Sequence, residues 1–324
     1  MERGSFWGIL CLCSMMIGLM SCRQDENMTA GGIRISFSSN VDGMGGQKGA
    51  LHTDAPQGVG QASRGVLVYT STMYSRLGCW ASMYNASEPW NEQSPINLMN
   101  NREITQELSY NSNTYWPGAW KKVRFFAYAP YGNSSLSFPE SHSGYPVFDY
   151  TVPLDVAAQS DILVASTEEY PGDFNQVVAL NFKHAMTAIR FVDMGMPQGT
   201  VTKITVSGVY GKARHHVGKD VWDSYSATAD FVFPVNYQTA AVEDANIEIK
   251  NGDNRLILIP QVLPQGAELK LELQDVSGAV TEYTASLANT EWQMGKIVRY
   301  NLRIEENALV VVDDLSDWMD GGEL

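Results

Sequence analysis

Apolar and polar residues alternate along most of this chain with a period of two, the period of a half-buried strand. Ile33-Arg34-Ile35-Ser36-Phe37-Ser38 is the first such segment, and Val66-Leu67-Val68-Tyr69 predicts a second. Val123 to Ala129 is a β-rich run stopped by Pro130, and Asp161 to Ala165 is a short apolar run. Val178, Leu180 and Phe182 alternate, as do Ile189 and Phe191. Val201–Val209, Ile247–Lys250 and Leu256–Ile259 follow. Leu269, Leu271 and Leu273 alternate, then Val298, Tyr300, Leu302 and Ile304, and Leu309–Val312 ends the set. Pro, Gly and Asn clusters separate these runs. Ile96 to Leu108 is the one segment read as a helix. Many short strands without interleaved helices predict an all-β fold of β-sandwiches. About 300 residues of such pattern suffice for two domains. The division falls near Gln176, after the loop Tyr170-Pro171-Gly172-Asp173, which gives domains of 31–175 and 176–324. Phe125, Phe182, Ile189, Leu271 and Leu302 are expected to line the cores.

The beginning of the chain follows a different pattern. An apolar run from Phe6 to Met20 ends in Leu19-Met20-Ser21-Cys22. Its roughly 15 residues are too few to cross a bilayer core of about 30 Å as a helix. A small residue followed by cysteine is the form of a bacterial lipoprotein signal. Residues 1–21 are therefore expected to be removed, with Cys22 becoming the lipid-bearing N-terminus. Residues 22–30 are polar and read as a short tether. Between the first two predicted strands, Asn40 to Ser63 is rich in Gly, Asn, Gln and Asp and has little apolar periodicity. It predicts an exposed loop, open to proteases.

Charge narrows the possible partners. The chain has 36 acidic and 22 basic residues, for a formal charge of −14, and no basic stripe. Nucleic-acid binding is disfavoured, because it requires cations to replace phosphate counterions. Once Cys11 and Cys13 leave with the signal and Cys22 is acylated, Cys79 is the remaining thiol, so a disulfide framework is excluded. A lone Cys beside Trp80 reads as a small buried apolar residue, not a nucleophile.

No constellation of residues makes a case for catalysis. The glycines at 43, 45, 46 and 49 resemble a phosphate loop only by letter, since no helix signal follows them. Adjacent His215 and His216 would point to opposite faces of a strand, which argues against shared metal ligation. They read as part of a solvated turn, and His184 as a hydrogen-bonded structural histidine. Glu168 and Glu169 are neighbours and seldom could face each other across a glycosidic bond. Neither a nucleophile elbow nor a His-Glu-x-x-His zinc motif is present. No cofactor is implied, and the chain is not expected to be an enzyme; a surface glycosidase is the poorest reading. Trp80, Trp90, Trp116, Trp120 and Trp222 could form a sugar-stacking platform, although aromatic side chains more often fill cores.

Several spaced segments together resemble the fimbrillin family of Bacteroidales, the lipoprotein-derived pilus subunits. They are Tyr115-Trp116-Pro117, Val123 to Pro130, Ser160 to Ala165 and Leu180 to Phe191. Leu258-Ile259-Pro260-Gln261, Glu291 to Lys296 and Leu315-Ser316-Asp317-Trp318 complete the set. The resemblance implies two tandem transthyretin-like β-sandwich domains and export to the outer membrane. It implies a structural or adhesive role in a fimbrium, with other pilus subunits and a surface receptor as partners. It also implies cutting after an Arg or Lys in the loop beyond the first strand, loss of that strand, and refilling of the groove by another subunit. On this sequence the exchanged strand is marked by Ile33, Ile35 and Phe37. The maturation site is Arg64-Gly65, with Lys48 as a second basic position. Leu309–Val312 is either a donor strand or a resident C-terminal strand. The alternative is a membrane-tethered carbohydrate-binding lipoprotein.

Overall fold

The structure is a computed structural model and describes residues 32–41, 74–105 and 114–318. Cys22, Lys48, Arg64, Gly65, the expected strand Val66–Tyr69 and most of the glycine-rich loop lie outside the described residues. Among the described residues the chain is almost entirely β, with twenty strands numbered in chain order and one 3-10 turn at Val156–Ala158.

A seven-stranded sheet holds β1 (Phe37–Val41), β2 (Arg76–Asn85), β3 (Ile96–Thr105), β4 (Lys121–Ala129), β7 (Leu163–Ser166), β8 (Tyr170–Pro171) and β9 (Val178–His184). Its order is β1-β9-β7-β4-β2-β3, with β8 beside β4. A six-stranded sheet holds β5 (Leu136–Ser137), β6 (Val147–Thr151), β11 (Gly199–His216), β12 (Val221–Gln238), β16 (Glu268–Asp275) and β17 (Val280–Ser286). A five-stranded sheet holds β10 (Thr187–Gly195), β13 (Ile247–Ile249), β14 (Leu256–Leu258), β19 (Lys296–Glu305) and β20 (Ala308–Asp317). The short strands β15 (Gln261–Val262) and β18 (Glu291–Trp292) pair with each other.

Two apolar clusters fill the molecule. The smaller lies on one face of the seven-stranded sheet and contains Phe125, Phe182, Leu180 and Trp116. The larger takes Trp80, Phe126 and Tyr128 from the other face, together with Ile189, Leu271 and Leu302. All five residues expected to line the cores are buried. Along β4, Val123, Phe125, Ala127 and Ala129 enter the smaller cluster, while Phe126 and Tyr128 enter the larger. Burial on both faces is why this strand reads as a continuous apolar run. The long β11–β12 hairpin pairs with β16 through Gly199–Ser207 and with β6 through Lys212–His216. One hairpin therefore serves both neighbourhoods.

Two expectations are corrected. Ile96–Thr105 is the strand β3, not a helix. Its buried Ile96 and Met99 stand three residues apart because the β2–β3 ladder is irregular: Ser82 faces Ile96 while adjacent Ala81 faces Met99. Extra residues in one strand shift the phase and imitate a helical period. His215 is not in a solvated turn. It lies on β11, fully buried, stacked on Phe148 with ring centroids 5.1 Å apart. His216 does point the other way, and its Nε2 lies 2.9 Å from Asp223 Oδ2.

Burial, with the charges of His216 and Lys183, pushes the His215 pKa down to about 3. An unfolded histidine titrates near 6.5, so between those values the unfolded chain binds the extra proton and acid favours unfolding. This residue's contribution is complete above about pH 6.5 and falls by about 1.4 kcal/mol per pH unit as pH drops towards 3. Urea unfolding of a His215→Leu variant, measured across that window, is expected to lack this component of the slope. An unchanged slope would mean that His215 is accessible to protons in the native state.

Candidate functional site

The first described segment sits at the rim of the seven-stranded sheet and is held from two directions. On one side, Trp116 N donates to Ile33 O at 3.0 Å and Ile35 N donates to Thr114 O at 2.8 Å. Arg34 and Tyr115 form the antiparallel bridge between these bonds. On the other side, Val178 N donates to Ser36 O at 2.9 Å. A parallel ladder with β9 follows, from Phe37 opposite Val178 to Val41 opposite Phe182.

The side chains follow the strand alternation. Ile35 and Phe37 are 0% and 1% exposed and join the smaller cluster, whereas Ile33 is 51% exposed at the mouth. Phe37 meets Phe125 edge to face at 5.2 Å. Trp116 packs edge-on against the same Phe125 at 5.8 Å and against Phe174 at 5.4 Å. β9 supplies Val178, Leu180 and Phe182 from its inward face. The result is an apolar trough, walled by β9 and the 114–116 segment and plugged by two side chains of the N-terminal strand. Arg34 lies over the Tyr115 ring at 5.8 Å, and Arg102 Nη1 donates to Thr114 Oγ1 at 2.9 Å. Cys79 lies in the same cluster, where burial pushes its thiol pKa well above the ordinary range. A thiol held neutral is a poor nucleophile.

Of the marked strand residues, the structure thus places Ile35 and Phe37 in the trough and Ile33 at its mouth. The walls contributed by Thr114 and Trp116 are absent from the site read in the sequence. Their signal was available only in the Tyr115-Trp116-Pro117 motif, since nothing local announces a bond to a segment some eighty residues earlier. The tryptophans do not form a platform: Trp80, Trp116 and Trp222 are buried, Trp90 is half-buried beneath Arg124, and Trp120 alone of the five stands exposed. Glu169 accepts from Trp90 N and pairs with Lys122, so it is a structural carboxylate. His184 Nδ1 lies 2.9 Å from Asp161 Oδ2, and its ring stacks on Trp318. Among the described residues there is no group of three or more His, Cys, Asp or Glu suited to a metal ion. β20 pairs antiparallel with β19 along its length and, among the described residues, lies at the edge of the five-stranded sheet.

An all-β body whose N-terminal strand plugs an apolar trough can be set beside known proteins. The profile of the family described as Fimbrillin-like matches residues 75–318, about three quarters of the chain. This chain belongs to the fimbrillin-like family. It is 23% identical over 330 residues to the fimbrium subunit Fim1C of Phocaeicola vulgatus, an alignment covering 81% of this chain and 87% of that one. A fimbrial protein of Bacteroides vulgatus has a similar fold, with a TM-score of 0.56 and 18% identity, over 75% of this chain and 93% of its own. A candidate cell adhesion protein of Bacteroides ovatus also gives 0.56, at 14% identity, over 89% and 98%. As a fimbrillin-like protein the chain is a structural or adhesive surface subunit, not an enzyme. Its place is the outer membrane and the fimbrium, and its partners are other pilus subunits.

The geometry makes Phe37 the anchor of the fimbrillin N-terminal strand. Phe37→Ala is expected to cost about 3–5 kcal/mol in chemical denaturation, as for a buried aromatic truncated in a core. Ile33→Ala, at the mouth, should cost about 0.5 kcal/mol or less, as for a surface change. Equal costs would mean that the strand is not seated as described.

Proposed function

We propose that this protein is a pilus subunit precursor whose N-terminal strand occupies, and later vacates, the groove that joins it to a neighbouring subunit. The observation that carries this reading is the seat of β1: among the described residues it is the edge strand of its sheet, its start bonded to the 114–116 segment and its continuation to β9, with Ile35 and Phe37 filling a trough of the core. Removing such a strand would strand the backbone donors of β9 and expose an apolar channel. An incoming strand with the same alternation would satisfy both. The lipid is carried by Cys22, and maturation cuts at Arg64-Gly65, which frees residues 22–64 with the strand. In this reading the body comprises two transthyretin-like sandwiches, the first built on the seven-stranded sheet with β9 included, and the β11–β12 hairpin reaches between them. β20 remains a resident strand until a partner is met.

A membrane-tethered carbohydrate-binding lipoprotein is the weaker reading. Four of the five candidate tryptophans are wholly or partly buried, so little aromatic surface is left for a pyranose ring.

The test is the intact mass and N-terminal sequence of the protein from its native surface, for wild type and Arg64→Ala. The wild-type mature form is expected to begin at Gly65 and to appear in high-mass polymers. The Arg64→Ala variant is expected to remain a lipidated Cys22 form without polymers. Polymers of normal length from a chain that still begins at Cys22 would overturn strand exchange.

A further inference from the structure

At the end of the sheet where β1 and β9 begin and β2 finishes, several large apolar side chains face solvent. Trp120 is 87% exposed, and Tyr115, Ile33 and Val177 are each about half exposed. Their common position follows from backbone bonds. Ile33 O accepts from Trp116 N, Ser36 O accepts from Val178 N, and Trp120 O accepts from Ala86 N at 2.9 Å. The Trp120 turn is rigid. Gly118 N donates to Gly172 O at 2.8 Å, Gly172 N donates to Lys121 O at 2.7 Å, and Lys121 N donates to Gly118 O at 3.0 Å. Gly118 has φ +99°, and a Cβ on Gly172 would lie 2.3 Å from Gly118 O, so the turn demands both glycines. The fold thus holds an indole outward on a fixed support, and none of the trough's contacts uses it. Arg34 lies over the Tyr115 ring, and Lys121, next to Trp120 in sequence, donates from Nζ to Asn85 Oδ1 at 2.8 Å.

The geometry points to this end as a membrane-docking face of the anchored precursor, with Trp120 and Tyr115 seated among lipid headgroups. The inference rests on Cys22 being the lipid site. Ten residues lie between Cys22 and Ile33, so the chain between them reaches at most about 40 Å when fully extended. The body is therefore tethered by this very end. Tryptophan and tyrosine flanked by cations are the side chains that favour a membrane–water interface, since their rings are apolar and their tips polar. A tethered body meets the bilayer at high effective concentration, so even weak insertion would orient it. Cleavage at Arg64 would remove Ile33, Arg34 and the tether together, so docking belongs to the unprocessed form.

The test uses the full lipidated chain reconstituted into phosphatidylethanolamine–phosphatidylglycerol vesicles, with and without brominated acyl chains that quench nearby indoles. The Trp120 emission, obtained as wild type minus Trp120→Ala, is expected to fall by at least half with brominated lipid. Trp120 makes no core contact, so this variant should fold normally. Intact mass first establishes whether Cys22 carries lipid; an unmodified Cys22 removes both the anchoring reading and the docking face. With Cys22 lipidated, an unquenched Trp120 overturns the docking face alone. So does equal quenching of a tryptophan placed at exposed Val276 in a Trp120→Ala, Val276→Trp chain, which would mean unspecific adsorption. A Trp120→Ala chain that loses self-association in detergent would assign the patch to contacts between copies, and would also overturn it.

Discussion

The backbone of the N-terminal strand finds its hydrogen-bond partners on two different segments, and the smaller core depends on that arrangement. Thr114 and Trp116 hold its beginning, β9 holds its continuation, and Ile35 and Phe37 close the trough between them. Each of those side chains contributes about 1.5–3 kcal/mol by leaving water. The strand is thus integral to the fold, and among the described residues it stands at the edge of the seven-stranded sheet. Edges are where a sheet accepts or surrenders a strand. On the proposed strand exchange, a precursor that stays closed during export and opens later has reason to place the exchanged strand there.

Most of the core lies beyond the trough. β4 is buried on both faces and carries one core on each, and the larger cluster runs on through the β11–β12 hairpin and the five-stranded sheet. Loss of β1 would open the smaller cluster at its rim while leaving the larger one intact. Burial holds the Cys79 thiol and the His215 imidazole neutral within these cores.

Much of the fold was legible in the amino-acid order because strand burial has a period of two. Phe182, Leu271 and Leu302 could be assigned to cores from alternation alone. Where the period failed, the structure shows why. β3 was misread because an irregular ladder with β2 moved Ile96 and Met99 to a spacing of three. His215 was misread because polar side chains are read as solvated, and nothing nearby in sequence reveals that Phe148 lies against its ring. Ile35 and Phe37 were legible as inward positions of a strand. Their seat was not, because it is assembled from residues near 115 and 180, and only long-range pairing brings those together.

The central claim is that the β1 seat is a separable strand site. The most direct measurement is amide hydrogen exchange along Val178–Phe182 before and after the N-terminal segment is cut free and removed. It would be repeated after adding a synthetic peptide of residues 31–41. The account predicts protection in the intact chain, rapid exchange confined to this strand and its surroundings once the segment is gone, and restored protection with the peptide. Unchanged protection after removal would contradict it, because β9 would then owe nothing to β1. Global loss of protection would contradict it too, because the remaining body could not wait for a partner.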